Sequence, residues 1–277
     1  MRANLDRSKA LAFGTLVESY DTGRPQLGAA YVTATLHRLG RAPGGRCLDV
    51  GAGTGQLTGG LLGSADRVVA VEPSPPMAAR LTARFGEAVA AGRLQVLVEP
   101  FESLPADQLG VFDAVWSSDA WHWVDPDLGY PTAATLLDPG GCLITTWGFP
   151  VLTDPALQDR LNSLYQRVSP DLVRDPAHHP AHHLRDLTPL LDEGRQQVDR
   201  STRLRVVDHW TEPHQVRVTP DVYVHWQLSY AHIADLNVPA RAALADAVHA
   251  ALDAAAPGPV SVTTWRYTCA SEPTIPA

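Results

Sequence analysis

The sequence predicts an α/β protein built on a doubly wound, mostly parallel sheet of seven strands. Three observations carry that expectation. Short apolar runs alternate with helical patterns from Gly44 onward, the first run ends in a glycine-rich loop that opens a helix, and the second run ends on an acidic residue. With 277 residues, 45% hydrophobic and 19% charged, the chain can bury a large core, which excludes a disordered chain, a disulfide miniprotein and a fibrous repeat.

The elements follow in order. Leu11, Phe13, Leu16, Val17 and Tyr20 recur at helical spacing, and so do Leu27, Tyr31, Leu36 and Leu39, with Gly23 and Pro25 between the two stripes. Cys47–Val50 reads as a short buried strand, Leu57–Leu62 as a helix and Val68–Val71 as a second buried strand, the start of a βαβ unit. A helix from about Pro76 to Ala91, strands at Leu94–Val98 and Phe112–Ser117, a helix at about Leu128–Leu137 and a strand at Cys142–Trp147 continue the alternation. Asp138-Pro-Gly-Gly141 reads as a turn, because proline presets one dihedral and the glycines permit positive φ.

After Trp147 the rhythm changes. Residues 150–200 are rich in Pro, His and Asp, as suits a helical lid inserted after the fifth strand, and a strand at Leu204–Trp210, helices near Pro220–Ala231 and Pro239–Ala255 and a strand at Val260–Thr268 complete the sheet. The expected organisation is one domain over 1–277: an N-terminal helical cap (1–40), a cofactor-binding core (41–148), a helical insertion or lid (149–202), and sheet completion with acceptor-pocket elements (203–277).

Charge and cysteine usage narrow the partners. The net charge of −8 disfavours a phosphate backbone as partner, so the expected partner is a small molecule and not nucleic acid. No apolar stretch is long enough to span a bilayer, and Asp6, Arg7 and Lys9 stand where a signal peptide needs its apolar run, so neither membrane insertion nor export is expected. Cys47, Cys142 and Cys269 are widely spaced and odd in number, consistent with free thiols in a cytoplasmic protein, monomeric or homodimeric.

The most specific feature is Asp49-Val-Gly51-Ala52-Gly53-Thr-Gly55-Gln56. Its glycines allow positive φ and close approach of a ligand to backbone, and the helix that follows offers unpaired N–H donors. Glu72, about twenty residues on at the end of the next strand, is placed to accept from both hydroxyls of a ribose. A dinucleotide fingerprint needs Gly or Ala where this chain has Gln56, and Asp49 would repel a pyrophosphate. The implied ligand has a ribose and a positive charge but no phosphate, a description that S-adenosylmethionine fits.

The segments LDVGAGTGQLT and VVAVEPSPPM, with FESLP at 101–105, FDAVWSSDAWHWVDP at 112–126, LLDPGGCLITTW at 136–147 and the Tyr20/Arg24/Pro25 arrangement upstream, resemble the class I S-adenosylmethionine-dependent methyltransferases. The likeness is to their small-molecule branch, which includes trans-aconitate methyltransferase-like enzymes. It implies a Rossmann-like fold and methyl transfer to N, O or C of a small aromatic or heteroaromatic metabolite, in bacterial secondary metabolism.

The resemblance also implies roles for particular residues. Gly51, Ala52, Gly53, Gly55 and Gln56 would shape the loop against the methionine portion, with Asp49 beneath it near the ammonium. Glu72 would hold the ribose, Pro73, Met77 and Phe101 would border the adenine with Glu102 beside them, and Ser117, Ser118 and Arg24 would border the methionine tail.

Methyl transfer needs alignment of the acceptor and, where a proton is released, a base. Asp119, Trp121, His122 and Trp123 lie at the carboxyl end of the fourth strand, and an ordinary histidine side chain titrates near working pH, so His122 is the candidate base or else only holds the cofactor loop by hydrogen bonding, and Tyr20 either closes over the methyl group or packs on its helix. Tyr20, Trp121, Tyr223, His225, Trp226 and Tyr230, with His232, are the candidate walls of the acceptor pocket, although packing explains the aromatic rings equally well. His178, His179, His182 and His183 are broken by Pro180 and lack a Cys or H-E-x-x-H companion, so no metal is expected. Two rival readings stand beside methyl transfer: an NAD(P)-dependent oxidoreductase, and non-methylating use of the same fold.

Overall fold

The structure, a computed structural model, describes residues 13–168, 195–230, 233–234, 236–255 and 258–274. The histidine cluster 178–183 and His232 therefore lie outside the described residues. Seven strands, β1 (Arg46–Val50), β2 (Arg67–Val71), β3 (Leu94–Leu97), β4 (Phe112–Ser118), β5 (Leu137–Leu152), β6 (Leu204–Val218) and β7 (Val260–Pro273), form one sheet in the order β3-β2-β1-β4-β5-β7-β6. Strands β3 to β5 are mutually parallel, while β7 runs antiparallel to both β5 and β6. The chain winds outward in both directions from the β1/β4 junction, the switch point at whose carboxyl ends open α/β sheets leave a crevice.

Both faces of the parallel strands are covered, which explains their continuous apolar runs. Cys47, Val68, Ala70, Ala114 and Trp116 pack on one face with Val32, Leu36 and Leu61, and Leu48, Val50, Val69 and Val115 pack on the other with Phe101, Trp121 and Tyr130. The free cysteines Cys47, Cys142 and Cys269 are all buried. Among the described residues no helix is long and apolar enough to cross a membrane.

Several boundaries differ from the sequence expectation, each for a physical reason. The helix expected over Pro76–Ala91 is two, Pro75–Arg84 and Gly86–Ala90, broken at Phe85 (φ −113°, ψ 31°). The turn expected at Asp138–Gly141 is a bulge inside β5: Phe112 pairs with Leu137 and Ala114 already with Cys142, so the intervening residues of β5 loop out, with Gly140 at φ 88°.

The strands expected at Cys142–Trp147, Leu204–Trp210 and Val260–Thr268 all run further. Pro150 and Pro213 look like strand breakers in sequence, but β6 is an edge strand, and the β4 pairing of β5 ends at Thr146, so each proline sits where a ladder hydrogen bond is dispensable. The extended β5–β7 ribbon carries a third hydrophobic cluster. There Leu152 and Val262 meet Leu157, Leu161 and Tyr165 of the helix Pro155–Val168, Tyr223 and Trp226 of the helix Pro220–Leu228, and Leu244 and Val248 of the helix Val238–Ala255.

The N-terminal helix Val17–Gly23 closes this side of the molecule by packing on the helix Pro220–Leu228. The contact is backbone to backbone, since a Cβ on Gly23 would overlap the main chain of His225 and Trp226. Gly23→Ala is expected to cost about 1–3 kcal/mol through overpacking and to lower the thermal midpoint by circular dichroism. Gly86→Ala, where an added Cβ meets nothing within 4 Å, should leave the midpoint unchanged or raise it. Equal loss in both variants would contradict the close crossing at Gly23.

Candidate active site

The site is assembled at the carboxyl ends of β1 and β4. The chain leaves β1 through Gly51 (φ 68°), Gly53 (φ 58°) and Gly55 (φ 96°), backbone conformations that other residues adopt only with strain. The N–H groups of Gly51 and Ala52 donate to the Val71 carbonyl at 2.9 and 3.0 Å, and that of Gly53 donates to Glu72 Oε2 at 2.8 Å. The other carboxylate oxygen, Oε1, accepts from the Ser74 N–H at 2.8 Å. Glu72 thus ties the glycine loop to the end of β2, each oxygen keeping lone pairs for a further donor. Burial raises its pKa, against the pull of these two backbone bonds.

Asp49 lies deeper, 1% exposed, and its Oδ2 accepts from the Thr58 hydroxyl at 2.6 Å. Desolvation pushes its carboxyl pKa up to about 7, the Thr58 bond opposes this, and the charge of Glu72 adds a smaller upward push. Gln56 folds onto Thr54, and its backbone carbonyl accepts from the Leu27 N–H at 2.9 Å, fastening the N-terminal segment to the loop. A cleft partly open to solvent is lined by Asp49, Gly51, Ala52 and Gln56, while Glu72 lies outside that lining.

Of the residues singled out in sequence, the cleft is lined by Tyr20, Arg24, Asp49, Gln56, Ser118 and Trp226, with Gly51 and Ala52 forming part of its floor. Tyr20 packs over Gly53, and its pKa is pushed up to about 12, mainly by burial with Arg24 pulling the other way. It is a neutral hydrogen-bond donor at ordinary pH. Arg24 is held between the rings of Tyr20 and Tyr230, 5.2 and 4.5 Å from their centroids, and donates from Nε to Ser229 Oγ at 2.7 Å.

Other candidates fall outside this lining and have structural partners. Trp121, 3% exposed, packs between Phe101 and Tyr130, with ring centroids 5.5 and 5.3 Å away. Tyr223 is buried in the third hydrophobic cluster, and neither it nor Trp121 is among the residues lining the cleft. His225 Nδ1 lies 3.4 Å from Ser19 Oγ. Glu102 Oε1 accepts from the Asp125 N–H at 2.8 Å, at the start of the helix Pro126–Leu136, and Ser117 donates to the Val50 carbonyl at 3.0 Å. Pro73 and Met77 follow β2 at the start of the helix Pro75–Arg84, where Met77 is 2% exposed.

His122, the candidate base, is exposed and outside the cleft lining, and its Nδ1 accepts from the Trp147 indole N–H at 3.2 Å. Asp119, three residues earlier, lines the cleft. It is held at φ 55°, its N–H donates to the Thr146 carbonyl at 2.8 Å, and its Oδ1 accepts from the Gly148 N–H at 2.8 Å. A non-glycine residue at positive φ marks a conformation that its surroundings impose.

Sequence reasoning did not single out Gly148, Thr264 and Arg266, which line the far side of the cleft. Thr264, Arg266 and Thr268 alternate with Trp265 and Tyr267 along β7, a pattern that reads in sequence as a solvent-facing polar stripe. Here all three are buried.

A methyltransferase domain model matches residues 48–145, the stretch from β1 to β5 that carries the loop, Glu72 and Asp119. An uncharacterized methyltransferase of Mycobacterium bovis is 40% identical over 141 residues, 51% of this chain and 54% of that protein. The chain thus spans about half the length of the curated relatives it matches. Among solved structures, a candidate type II methyltransferase of Anaeromyxobacter dehalogenans superposes with a TM-score of 0.61 at 21% identity, over 92% of this chain and 99% of the other. An S-adenosylmethionine-dependent methyltransferase of Geobacter sulfurreducens, in complex with S-adenosyl-L-homocysteine, gives 0.51 at 15% identity, over 95% and 98%. These two likenesses speak for the fold. The domain-model match covers residues 48–145 and so includes the glycine loop and Glu72.

Proposed function

We propose that the cleft binds S-adenosylmethionine and transfers its methyl group to a small-molecule acceptor. The observation that carries this reading is Asp49, a carboxylate lining the cleft, 1% exposed, with a pKa pushed up to about 7 by burial. Such a group is stabilised in its ionised form by a cation placed against it and would be further disfavoured by a phosphate. The residues present therefore fit a ligand with an ammonium, and Glu72 retains acceptor capacity for ribose hydroxyls.

When bound, the cofactor supplies a methyl group on a sulfonium, ready for in-line displacement. The chain's part is to hold and align. Asp49 and Glu72 bind at the β1 and β2 edges, and Tyr20 covers the loop at Gly53. Asp119, fixed by the Gly148 N–H, is the group placed to accept a proton from the acceptor, a role the sequence suggested for His122.

Trp226 in the lining supports the finer reading of an aromatic or heteroaromatic acceptor. On this reading residues 41–148 serve the cofactor, and the C-terminal strands and helices, with the N-terminal cap, serve acceptor choice. The oxidoreductase reading is disfavoured by Asp49 in the cleft and by the side chain of Gln56 where close loop packing would need a small residue.

Titration with S-adenosylhomocysteine by calorimetry tests the cofactor assignment. Saturable binding is expected, roughly tenfold or more weaker in Glu72→Ala for loss of charge-assisted hydrogen bonds to the ribose, with no comparable binding of a nicotinamide dinucleotide. Unchanged affinity in Glu72→Ala would remove the ribose role. Once an acceptor is in hand, Asp119→Asn is expected to lower kcat by roughly a hundredfold or more where a proton must leave, and His122→Ala by far less. The reverse order of effects would return the proton-handling role to His122.

A further inference from the structure

Arg266 projects from β7 into the cleft with its side chain 4% exposed, and its interactions are poor for a buried guanidinium. Nη1 reaches Ser118 Oγ and Thr146 Oγ1, each at 3.5 Å, and Asp119 Oδ2 at 3.9 Å, beyond hydrogen-bond range. The face of Tyr31 lies 5.6 Å away. The hydroxyl acceptors nearby are already shared, since Tyr31 donates to Thr146 Oγ1 at 3.1 Å and Thr268 donates to the same oxygen at 3.3 Å. Asp119 spends its Oδ1 on the Gly148 N–H. A cation with five donors, removed from water and given two 3.5 Å contacts to hydroxyls and one loose ion pair to Asp119 at 3.9 Å, keeps donors for a further anion.

Two neighbours complete the site. Thr264, two residues back on the same face of β7, lines the same cleft, is 3% exposed, and its Oγ1 has no hydrogen-bond partner among the described residues. Gly148 pairs with Arg266 across the β5–β7 ladder, where a Cβ would lie 2.8 Å from Arg266 Nη2 and 3.1 Å from Thr264 Cγ2. The absent side chain leaves both polar groups uncovered. β7 lies three strand positions from β1, roughly 14 Å at normal spacing, on the side of the sheet away from Asp49 and Glu72.

We propose that Arg266, Thr264 and the open face of Gly148 form an anion-anchoring subsite, so that the acceptor is a small molecule carrying a carboxylate. The proposal rests on reading this cleft as the transfer site and adds to it the charge of the substrate. The Arg266 guanidinium takes the carboxylate bidentately, and the Thr264 hydroxyl donates a further bond.

The test is calorimetric titration of the protein, with and without S-adenosylhomocysteine, using benzoate, succinate and acetate as probes and benzamide as the neutral counterpart of benzoate. At least one carboxylate should bind saturably, benzamide should bind at least tenfold more weakly than benzoate if benzoate binds, and Arg266→Met should weaken the carboxylate roughly tenfold or more. Arg266→Lys should recover part of the loss, and S-adenosylhomocysteine affinity should stay within about twofold in Arg266→Met.

If Arg266→Met does not fold, Gly148→Ala, which closes the cradle, should give the same loss of carboxylate binding. Binding of none of the three carboxylates, equal binding of benzoate and benzamide, or equal weakening of carboxylate and S-adenosylhomocysteine in Arg266→Met would overturn the proposal. Failure of the wild type to bind S-adenosylhomocysteine would overturn the cofactor reading instead, while the titration without it still decides the anion subsite.

Discussion

Asp49 and Glu72 lose most of their hydration when the chain folds, and the architecture around the cleft is arranged to keep them there. Removing a carboxylate from water is costly unless hydrogen bonds or a counter-charge replace the lost solvent. Glu72 is compensated by two backbone N–H groups, one from the glycine loop and one from the turn after β2, so its burial and the loop's shape are a single constraint. Asp49 is compensated less, by the Thr58 hydroxyl, and its pKa is pushed up to about 7 as a result. The glycines follow from this: the loop must present N–H groups to Glu72 and to Val71 while leaving Asp49 open to the cleft, which requires positive φ at Gly51 and Gly53.

The other half of the molecule encloses what the parallel strands set up. The β5–β7 ribbon runs past the end of β4 and brings Gly148, Thr264 and Arg266 to the cleft, while the helices at Val17–Gly23 and Pro220–Leu228, crossing at Gly23, bring Tyr20, Arg24 and Trp226. A cleft with acidic groups at the β1 edge and a buried guanidinium at the β7 edge can orient a cationic ligand and an anionic one towards each other. Asp119, strained at φ 55°, sits between the two ends.

Local signals made the first half of this arrangement legible in the sequence. Apolar runs of strand length, the spacing of Asp49, the glycines and Glu72, and the substitution of Gln56 for a small residue all act within one βαβ unit, so they identify the fold and the glycine loop with its acidic partner without tertiary information. The far side of the cleft depends on partners distant in sequence. Whether Arg266 faces solvent or a cleft is decided by the β5–β7 register, and whether Trp121 lines a pocket or fills a core is decided by Phe101 and Tyr130. His122 stands out in sequence as a histidine at the carboxyl end of β4, yet it bonds the Trp147 indole in an exposed position outside the cleft lining, while Asp119 carries the constrained geometry. Pro150 and Pro213 hid the length of the strands because their tolerance follows from sheet order alone.

The dependence of S-adenosylhomocysteine affinity on pH, measured by calorimetry in two buffers of different ionisation enthalpy, tests the central role of Asp49 most directly. Between pH 7 and 5.5 the ligand's ammonium stays protonated while Asp49, with a pKa pushed up to about 7 in the free protein, takes up a proton that binding must expel. Affinity should therefore fall roughly tenfold over that interval with release of close to one proton, and Asp49→Asn should bind weakly with no such dependence. A flat affinity without proton release in the wild type would contradict the account, because Asp49 would then not meet the cation.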